Sequence, residues 1–440
     1  MRLLFLIATS AVATAASSIE EVAFSRYASN FGKRYESNSE RQVAFGCWRE
    51  NLAKARLFNL AEKGTARFGE TSESDLCWSA FKAQRLMGTP PPKPRKTRPL
   101  QPEAAAEALH ILRANPSVDW REKGALNPIQ DQGRCGSCWA FGSVANIESQ
   151  HFLWGANKSS EKNGTLIKLS EQELVSCDHY KDKSGADNGC QGGWPDRAFH
   201  WTIQQGGLTR EANYPYTSGQ GQVAQCDTSK ETGPKINIFS LQDLGANETC
   251  ARARRPARRP LHVHTPPCGS ARAGPLTGRY VAAYVAKYGP VVIGLDATQQ
   301  WQSYKGGVLT QGCDATKADH AVVIVGYGTD SSAGDYWIIR NSWNTKWGED
   351  GYIRLKRGTN CKHVHGESNS GVSMRVRMRV LSSMRVPVCC VAQWRGEPRL
   401  HLPDVQPLPV PAGVLVHGAV LHGRLLPTGQ LTRMLRDGLL

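Results

Sequence analysis

The sequence predicts an α+β chain with several parts, and its length and apolar patterning carry that prediction. A chain of 440 residues is too long for one compact core, which usually stops growing beyond roughly 250 to 300 residues. Across residues 17–88, apolar and aromatic side chains such as Phe24 and Tyr27 recur at helical spacing. Segments 321–327 and 336–340 have the apolar character of strands. We therefore expect a helical N-terminal part followed by a mixed globular body.

The first residues have the layout of a cleaved signal peptide over residues 1–15. Arg2 precedes an apolar stretch at residues 3–12, and small residues follow at 13–15. This stretch is too short for a spanning helix, which needs roughly 18 or more apolar residues, and no membrane span is expected. The 13 cysteines fit an oxidising compartment. We expect the secretory pathway, with a lysosome-like vacuole or the extracellular space as the destination.

The formal net charge of +16 is concentrated in two segments. Residues 250–279 hold seven Arg and no acidic residue, and residues 362–440 hold ten Lys plus Arg against four Asp plus Glu. The remaining chain is close to neutral, so its charge does not indicate a nucleic-acid partner.

A linker separates the helical part from the globular body. Between residues 89 and 102 the chain has six prolines and four basic residues. Such a composition excludes a packed helix and favours an extended connector that proteases can reach. We therefore assign residues 89–115 as a linker and processing region.

Cys138 is the candidate nucleophile of the globular body. Apolar residues follow it at helical spacing, namely Trp139, Ala140, Phe141, Val144 and Ile147. Cys138 is therefore expected in the first turn of a buried helix, where the helix N-terminus and a nearby imidazolium would lower the pKa of its thiol. Taken alone, the same cysteine would fit a disulfide or an inert buried thiol.

His320 and Asn341 are the candidate partners of this thiol. His320 begins an apolar strand, and Asn341 follows another, so that its amide oxygen can accept from the imidazole. Trp343 would shield that hydrogen bond from water. Gln132 precedes Cys138 across a Gly-rich turn, and its amide and the Cys138 N–H could donate to an oxyanion. Without this context, His320 would fit a core histidine and Asn341 a turn residue.

Three segments resemble the catalytic motifs of papain and the cathepsins, in the family's order. Residues 132–141 read Gln-Gly-Arg-Cys-Gly-Ser-Cys-Trp-Ala-Phe, like the nucleophile motif. The segment around His320 is similar to the histidine motif, and residues 341–343 to the asparagine motif. The resemblance implies a papain-like two-domain α+β fold over residues 116–361, with the nucleophile on a helical left domain and the histidine and asparagine on a β-barrel-like right domain. It also implies an endopeptidase that forms a thioester and needs no metal or cofactor.

The helical part, residues 16–88, resembles the family's inhibitory propeptide in its cathepsin L-like form. Glu40, Trp48, Asn51 and Asn59 fall at the spacing of that propeptide. The resemblance implies a zymogen that is activated by cleavage at the end of the linker. The implied partners are protein and peptide substrates and the chain's own propeptide as inhibitor, and a monomer is expected. A helical binding module is the alternative for this part.

The resemblance further implies substrate-binding residues and disulfides. The substrate-binding set is Gly192, Gly193, Trp194, Pro195, Gly294, Asp319 and Trp343. The small Gly294 predicts room for a bulky apolar side chain in the second subsite. The implied disulfides are Cys135 with Cys190, Cys177 with Cys226 and Cys313 with Cys361, which leave Cys138 free. Asn157, Asn163 and Asn247 lie in sequons for glycosylation.

Two segments depart from the family. Residues 250–279 interrupt a region where the family runs directly into a helix, and their composition has no core pattern. An unspliced intron or a wrong gene model explains them better than a basic binding loop. The resemblance stops after Cys361, so residues 362–440 are either translated non-coding sequence or a genuine extension. The second hypothesis is therefore a catalytically inactive, protein-binding homologue or an aberrant gene product, against which the complete catalytic quartet argues.

Overall fold

The computed structural model describes residues 19–88, 102–154, 166–182, 185–238, 242–243, 276–311, 318–357 and 372–373. All of them belong to one compact unit, Met1–Ser382. Outside the described residues lie the predicted signal peptide, the three sequon asparagines, Cys313, Cys361 and most of residues 250–279 and 362–440. Within the described part, no helix combines the length and the apolar character that a membrane crossing requires.

Helices and strands are mixed along the described chain. The helices are α1 (residues 19–30), α2 (Asn38–Glu62), α3 (Trp78–Arg85), α4 (Pro102–Ala114), α5 (Cys138–Trp154), α6 (Glu171–Cys177), α7 (Pro195–Gln204), α8 (Leu276–Tyr288) and α9 (Gln299–Ser303). The strands are β1 (Ala66–Phe68), β2 (Val118–Asp119), β3 (Lys181–Asp182), β4 (Gly185–Ala186), β5 (Gln242–Asp243), β6 (Val291–Leu295), β7 (Tyr304–Leu309), β8 (His320–Asp330), β9 (Gly334–Arg340), β10 (Tyr352–Lys356) and β11 (Val372–Ser373).

One large sheet organises the molecule, and β8 lies inside it. The strand order is β1, β7, β10, β9, β8, β6, β11 and β5, with β2 also paired to β8. Successive side chains of β8 enter different apolar clusters. Ala321, Val323 and Val325 belong to the cluster that contains residues of α5 and α7, and Val322, Ile324 and Tyr327 to the cluster that contains Trp301 and Trp343. Because both faces of β8 are covered, its sequence is a continuous apolar run instead of an alternating one.

Helix α5 packs against β8 and β6 and carries Cys138 at its first position. Gly142 permits the close approach, because a Cβ there would lie 2.9 Å from a methyl carbon of Val292. Farther along the helix, the Asn146 side chain donates to the Pro290 carbonyl at 2.8 Å. These contacts fix the helix, and with it the thiol, against the sheet.

Residues 102–114, which the sequence analysis assigned to the linker, form helix α4. The run of alanines after Pro102 favours a helix, and proline is tolerated at a helix start because its missing N–H would have no helical partner there. Leu112 packs against the main core cluster, and Glu107 pairs with Lys287 of α8 at 2.6 Å. The Pro-rich composition just upstream concealed this helix in the sequence.

The N-terminal part, residues 19–88, has an apolar core of its own. Its cluster consists of Phe24, Tyr27, Ala44, Phe45 and Trp48. The Tyr27 hydroxyl donates to Asp75 at 2.9 Å, and this bond ties α1 to the segment before α3. A disulfide between Cys47 and Cys77 ties α2 to the same segment. Neither cysteine had a counterpart in the family motifs, so this bond was not predicted.

The N-terminal part docks on the globular body through strand pairing and a buried carboxylate. Strand β1 extends the sheet by pairing antiparallel with β7. The Asn59 amide holds β1 by bonding both backbone groups of Phe68 at 2.9 Å. Glu62, only 2% exposed, accepts from the Thr310 N–H at 3.0 Å, from the Thr310 hydroxyl at 2.7 Å and from the Gln311 N–H at 2.7 Å. The carboxylate of Glu62 thus satisfies buried donors of the globular body.

Replacing Glu62 with Ala is expected to lower the free energy of unfolding of the full-length chain by about 2–4 kcal/mol. The physical reason is that the substitution leaves donors of Thr310 and Gln311 unpaired. Urea unfolding followed by tryptophan fluorescence measures this change. The matched control is Glu50→Ala on the same helix, where the side chain is 60% exposed and a change below about 0.5 kcal/mol is expected. Equal losses in the two variants would contradict the docking role of Glu62.

Candidate active site

Cys138 is free and fully buried at the start of α5. Its sulfur accepts from the backbone N–H of Ala321 on β8 at 3.4 Å. Gly133, in the turn before the helix, has φ +65°, and a Cβ there would lie 2.2 Å from the Gly219 carbonyl oxygen, so the turn requires glycine. Burial raises the pKa of Cys138 to about 12. The thiol is therefore protonated in this form of the chain.

His320 is the residue before Ala321 and is fully buried. Its Nε2 lies 2.8 Å from Oδ1 of Asn341. Because an amide oxygen only accepts, Nε2 donates, and Nδ1 of the neutral ring is left as an acceptor. Nδ1 has no hydrogen-bond partner among the described residues. The Ser342 N–H donates to the same Oδ1 at 2.8 Å, which fixes the Asn341 amide.

Two tryptophans enclose the imidazole of His320. Trp343 stacks on it with ring centroids 4.7 Å apart, and Trp301 meets it edge-on at 5.9 Å. Phe81 of α3 packs edge-on against Trp343 at 5.1 Å, so the N-terminal part completes the enclosure. Burial lowers the pKa of His320 to about 4, although the bond to Asn341 opposes this shift. The imidazole is therefore neutral in this form of the chain.

Gln132 is fully buried, and its side-chain amide makes three hydrogen bonds. Its Nε2 donates to the carbonyl of Arg85 at 2.9 Å and to the carbonyl of Cys135 at 2.8 Å. Its Oε1 accepts from the Ser342 hydroxyl at 2.7 Å, which fixes the direction of the amide. The predicted oxyanion donor thus binds a peptide carbonyl from the N-terminal part.

Residues 86–88 continue from this carbonyl across the surface of the globular body. The Met87 N–H donates to the Asp319 carbonyl at 2.6 Å, and the Gly88 N–H donates to the Gln191 carbonyl at 3.1 Å. Met87 is buried in the apolar cluster that contains Trp194. The Asp319 carboxylate accepts from the Ala297 N–H at 2.9 Å, and burial raises its pKa to about 7. An extended peptide therefore lies over the thiol and the imidazole.

Arg85 anchors this peptide, and sequence reasoning missed it. Its guanidinium makes two bonds to Glu73, at 2.9 and 2.7 Å. It also donates to Asp131 at 2.8 Å and to the Gly133 carbonyl at 2.7 Å, both in the globular body. Arg85 thereby links α3 to the turn that precedes Cys138. No spacing rule connects residues 73, 85 and 131, so the sequence offered no signal for this network.

The predicted substrate-binding glycines lie on a turn that Asp187 holds. The Trp194 N–H donates to Asp187 at 2.8 Å, and a Cβ on Gly193 would lie 2.8 Å from the same carboxylate oxygen. Gly192 accepts from the Asn188 N–H at 2.8 Å, and Pro195 begins α7. The Trp194 ring lies against Gly294, where a Cβ would approach it to 2.8 Å. The structure therefore brings Gly192, Gly193, Trp194, Pro195 and Gly294 together. Sequence reasoning missed Asp187, which carries no motif.

Two of the three implied disulfides lie within the described residues and are formed. They are Cys135–Cys190 and Cys177–Cys226. Both partners of the third, Cys313 and Cys361, lie outside the described residues. In the described part, Cys177, Cys226 and Glu231 form a group with the spacing of metal ligands. Its two sulfurs are joined in a disulfide, so they cannot act as thiolate ligands.

Known proteins match most of the chain. The family profile of papain family cysteine proteases matches residues 114–374, and that of the cathepsin propeptide inhibitor domain matches residues 24–79. The chain is 36% identical over 344 residues to a cysteine proteinase of Trypanosoma brucei brucei, covering 77% of this chain and 64% of that protein. It is 33% identical over 353 residues to cysteine proteinase 1 of Dictyostelium discoideum, covering 78% of this chain and 89% of that protein. The solved structure of a recombinant stem bromelain precursor aligns with TM-score 0.62 and 26% identity, covering 82% of this chain and 99% of that chain.

The chain belongs to the papain family of cysteine proteases. This finding confirms the predicted family and α+β fold, and the inhibitor-domain match confirms the predicted zymogen organisation. The papain-family match continues to residue 374, past Cys361, where the motif resemblance ended. Within that range, β11 pairs with β5 and β6. The chain spans slightly less than two thirds of the Trypanosoma relative's length.

Acidification from pH 6.5 to 4 is expected to destabilise this papain-family zymogen through His320. In that window the unfolded imidazole, with its pKa near 6.5, takes up a proton, whereas the folded one, with its pKa at about 4, does not. The stability contribution is fully present above pH 6.5 and is lost as the pH falls, by roughly 3 kcal/mol in total. Urea unfolding at each pH measures it, and His320→Asn is expected to remove this part of the slope.

The control for this slope is His200→Asn on α7, which is expected to leave it unchanged. Asp319 contributes with the opposite sign, because its raised pKa of about 7 means that its contribution is lost as the pH rises from about 4 to 7. The pH dependence of the free energy of unfolding is therefore compared between the wild type and His320→Asn, and the wild-type curve is not interpreted alone. Parallel curves for the wild type and His320→Asn would contradict the assignment.

Proposed function

We propose that the chain is the zymogen of a cysteine endopeptidase in which Cys138 is the nucleophile and His320 the general base and acid. The contact that carries this proposal is the bond from the Ala321 N–H to the Cys138 sulfur, because it sets the residue next to His320 directly against the thiol. The Nδ1 acceptor of His320 is available to take the thiol proton. The proposed substrates are proteins and peptides.

Asn341 and Gln132 have supporting roles in this proposal. Asn341 accepts a hydrogen bond from Nε2 of His320, so Nδ1 of the same ring points away from Asn341. Proton transfer between Nδ1 and the thiol requires this ring orientation. Gln132, with the Cys138 N–H, stabilises the oxyanion of the tetrahedral intermediate. Its hydrogen bond to the Arg85 carbonyl supports this role, because that carbonyl takes the place of the carbonyl of a bound peptide before reaction.

The reaction proceeds in two stages once the propeptide has left. With water readmitted, the thiol transfers its proton to Nδ1 of His320, and the thiolate attacks the peptide carbonyl carbon. His320 then protonates the leaving amine, and a thioester to Cys138 remains. Water, deprotonated by His320, hydrolyses the thioester and restores the thiol.

The second subsite is proposed to take an apolar side chain. Trp194 and Gly294 lie against each other, and Met87 of the propeptide belongs to the same buried cluster as Trp194 and Ala318. An apolar substrate side chain would replace Met87 in this environment. Asp319 would contribute its carbonyl, which already binds the Met87 N–H.

We propose a monomer that acts along the secretory pathway, in a lysosome-like vacuole or outside the cell. The propeptide match and the disulfides of the catalytic body support this setting. No contact among the described residues favours the alternative of an inactive binding homologue. All four residues of the proposed catalytic set, Cys138, His320, Asn341 and Gln132, lie in the described part of the chain.

Cys138→Ser is expected to abolish both peptidase activity and covalent labelling by a thiol-trapping epoxide after acid activation. The reason is that a serine hydroxyl, without a stronger base, is not ionised by His320. Cleavage of a fluorogenic peptide and intact-protein mass spectrometry measure the two effects. The control, Ser229→Ala in an exposed loop, is expected to keep both. Labelling that persists in Cys138→Ser would refute the nucleophile assignment.

Asn341→Ala is expected to lower kcat/KM by about 10-fold to 100-fold, because the imidazole loses the acceptor that orients it. The loss is expected mainly in kcat, since Asn341 contacts no substrate. Asn341→Gln should restore part of the rate, and Asn213→Ala, which removes an amide far from the thiol, should leave it unchanged. A loss confined to KM would contradict the orienting role.

A further inference from the structure

The Cys47–Cys77 disulfide closes a loop that carries most of the propeptide's docking contacts. Cys47 lies on α2 and Cys77 directly precedes α3, 30 residues later in the sequence. Between them lie β1 and Glu62, which bind β7 and the residues after it. The same loop contains Thr71, whose hydroxyl donates to the Gln302 carbonyl at 2.6 Å.

The loop also holds acceptors for a side chain of the catalytic body. The Gln302 amide donates to the carbonyl of Glu73 at 2.8 Å and to that of Leu76 at 2.6 Å. Glu73 in turn holds Arg85, which anchors the peptide over Cys138. The disulfide therefore closes, at its two ends, the segment on which the cover of the active site depends.

One side of the disulfide is open to a reductant. Cys47 is buried, but Cys77 is half-buried, and both line a cleft of about 270 Å³. Three cationic side chains, Lys33, Arg34 and Arg134, and two carboxylates, Glu40 and Asp75, line the same cleft, and Lys33 pairs with Asp75 at 2.8 Å. The remaining excess of positive charge favours the thiolate forms that attack and leave during disulfide exchange. In the catalytic body, Cys135 and Cys190 are both buried, whereas Cys177 and Cys226 are both half-buried.

We propose that the Cys47–Cys77 bond is a site of thiol–disulfide exchange with a dithiol reductant, and that its reduction loosens the propeptide's hold on the enzyme. One thiolate of the dithiol attacks the sulfur of Cys77, and the S–S bond breaks with its electron pair on the sulfur of Cys47. The second thiol resolves the mixed disulfide. The dithiol is oxidised to its disulfide, and both cysteines become thiols that carry its protons. This proposal rests on the proposed inhibitory role of the propeptide.

The test uses the full chain with Cys138→Ser, so that it needs no catalysis and remains separate from the test of the proposed function. A recognition sequence for a site-specific protease is inserted in the linker between Arg95 and Lys96 and is cut, so that the propeptide, with both Cys47 and Cys77, becomes a separate chain. The cut protein is then filtered by size with and without dithiothreitol, at a concentration at which alkylation and mass spectrometry show Cys135–Cys190 and Cys177–Cys226 still oxidised.

Without the reductant, the propeptide is expected to stay with the enzyme. With the reductant, it is expected to dissociate at least 10-fold faster. In the same chain carrying Cys47→Ala and Cys77→Ala, the cut fragment should dissociate at the fast rate without reductant. The uncut double variant shows whether the chain without these two cysteines folds. If it does not fold, the experiment with dithiothreitol on the chain that keeps Cys47 and Cys77 decides whether reduction releases the propeptide. Equal retention before and after reduction, or reduction of Cys135–Cys190 before Cys47–Cys77, would overturn the proposal.

Discussion

Burial of Cys138 and His320 beneath residues 85–88 is the constraint on which the proposed chemistry of the site depends. This segment bonds to Gln132 and Asp319 and lies over Cys138 and His320, which are both fully buried. Burial disfavours charge, so the pKa of the thiol rises while the pKa of the imidazole falls. Both shifts oppose formation of a thiolate and an imidazolium. In the proposed function, the cover therefore opposes ionisation of the pair as well as access of a substrate.

The proposed catalytic residues are positioned by the sheet and by the helix that packs on it. His320 begins β8, and Asn341 directly follows β9, which pairs antiparallel with β8. Cys138 begins a helix that packs on the same strand. All three side chains therefore lie at the ends of rigid elements that share one core. In the proposed function, activation therefore requires that this site be uncovered.

The sequence predicted the residues whose position in a helix or strand follows from the local pattern of apolar side chains. Cys138 precedes a helical run and His320 begins an apolar one, so both were predictable together with their motifs. Arg85 and Asp187 were not, because their partners lie on other segments and no period or motif links them. Helix α4 was missed for a local reason, since the prolines before it dominated the composition. The sequence thus indicated the positions of the proposed catalytic residues in helices and strands better than the contacts that hold residues 85–88 and the turn at Gly192 and Gly193.

In the proposed function, the propeptide and a substrate present the same groups to the cleft, so the enzyme must distinguish them elsewhere. A substrate carbonyl would bind Gln132 as the Arg85 carbonyl does, and an apolar substrate side chain would replace Met87. What a substrate lacks is the docking on β7, where β1 adds backbone bonds to the sheet edge and Glu62 adds charged ones. This docking uses residues outside the cleft. In the proposed function, inhibition therefore depends on anchors remote from the thiol, and release of the propeptide requires those anchors to weaken.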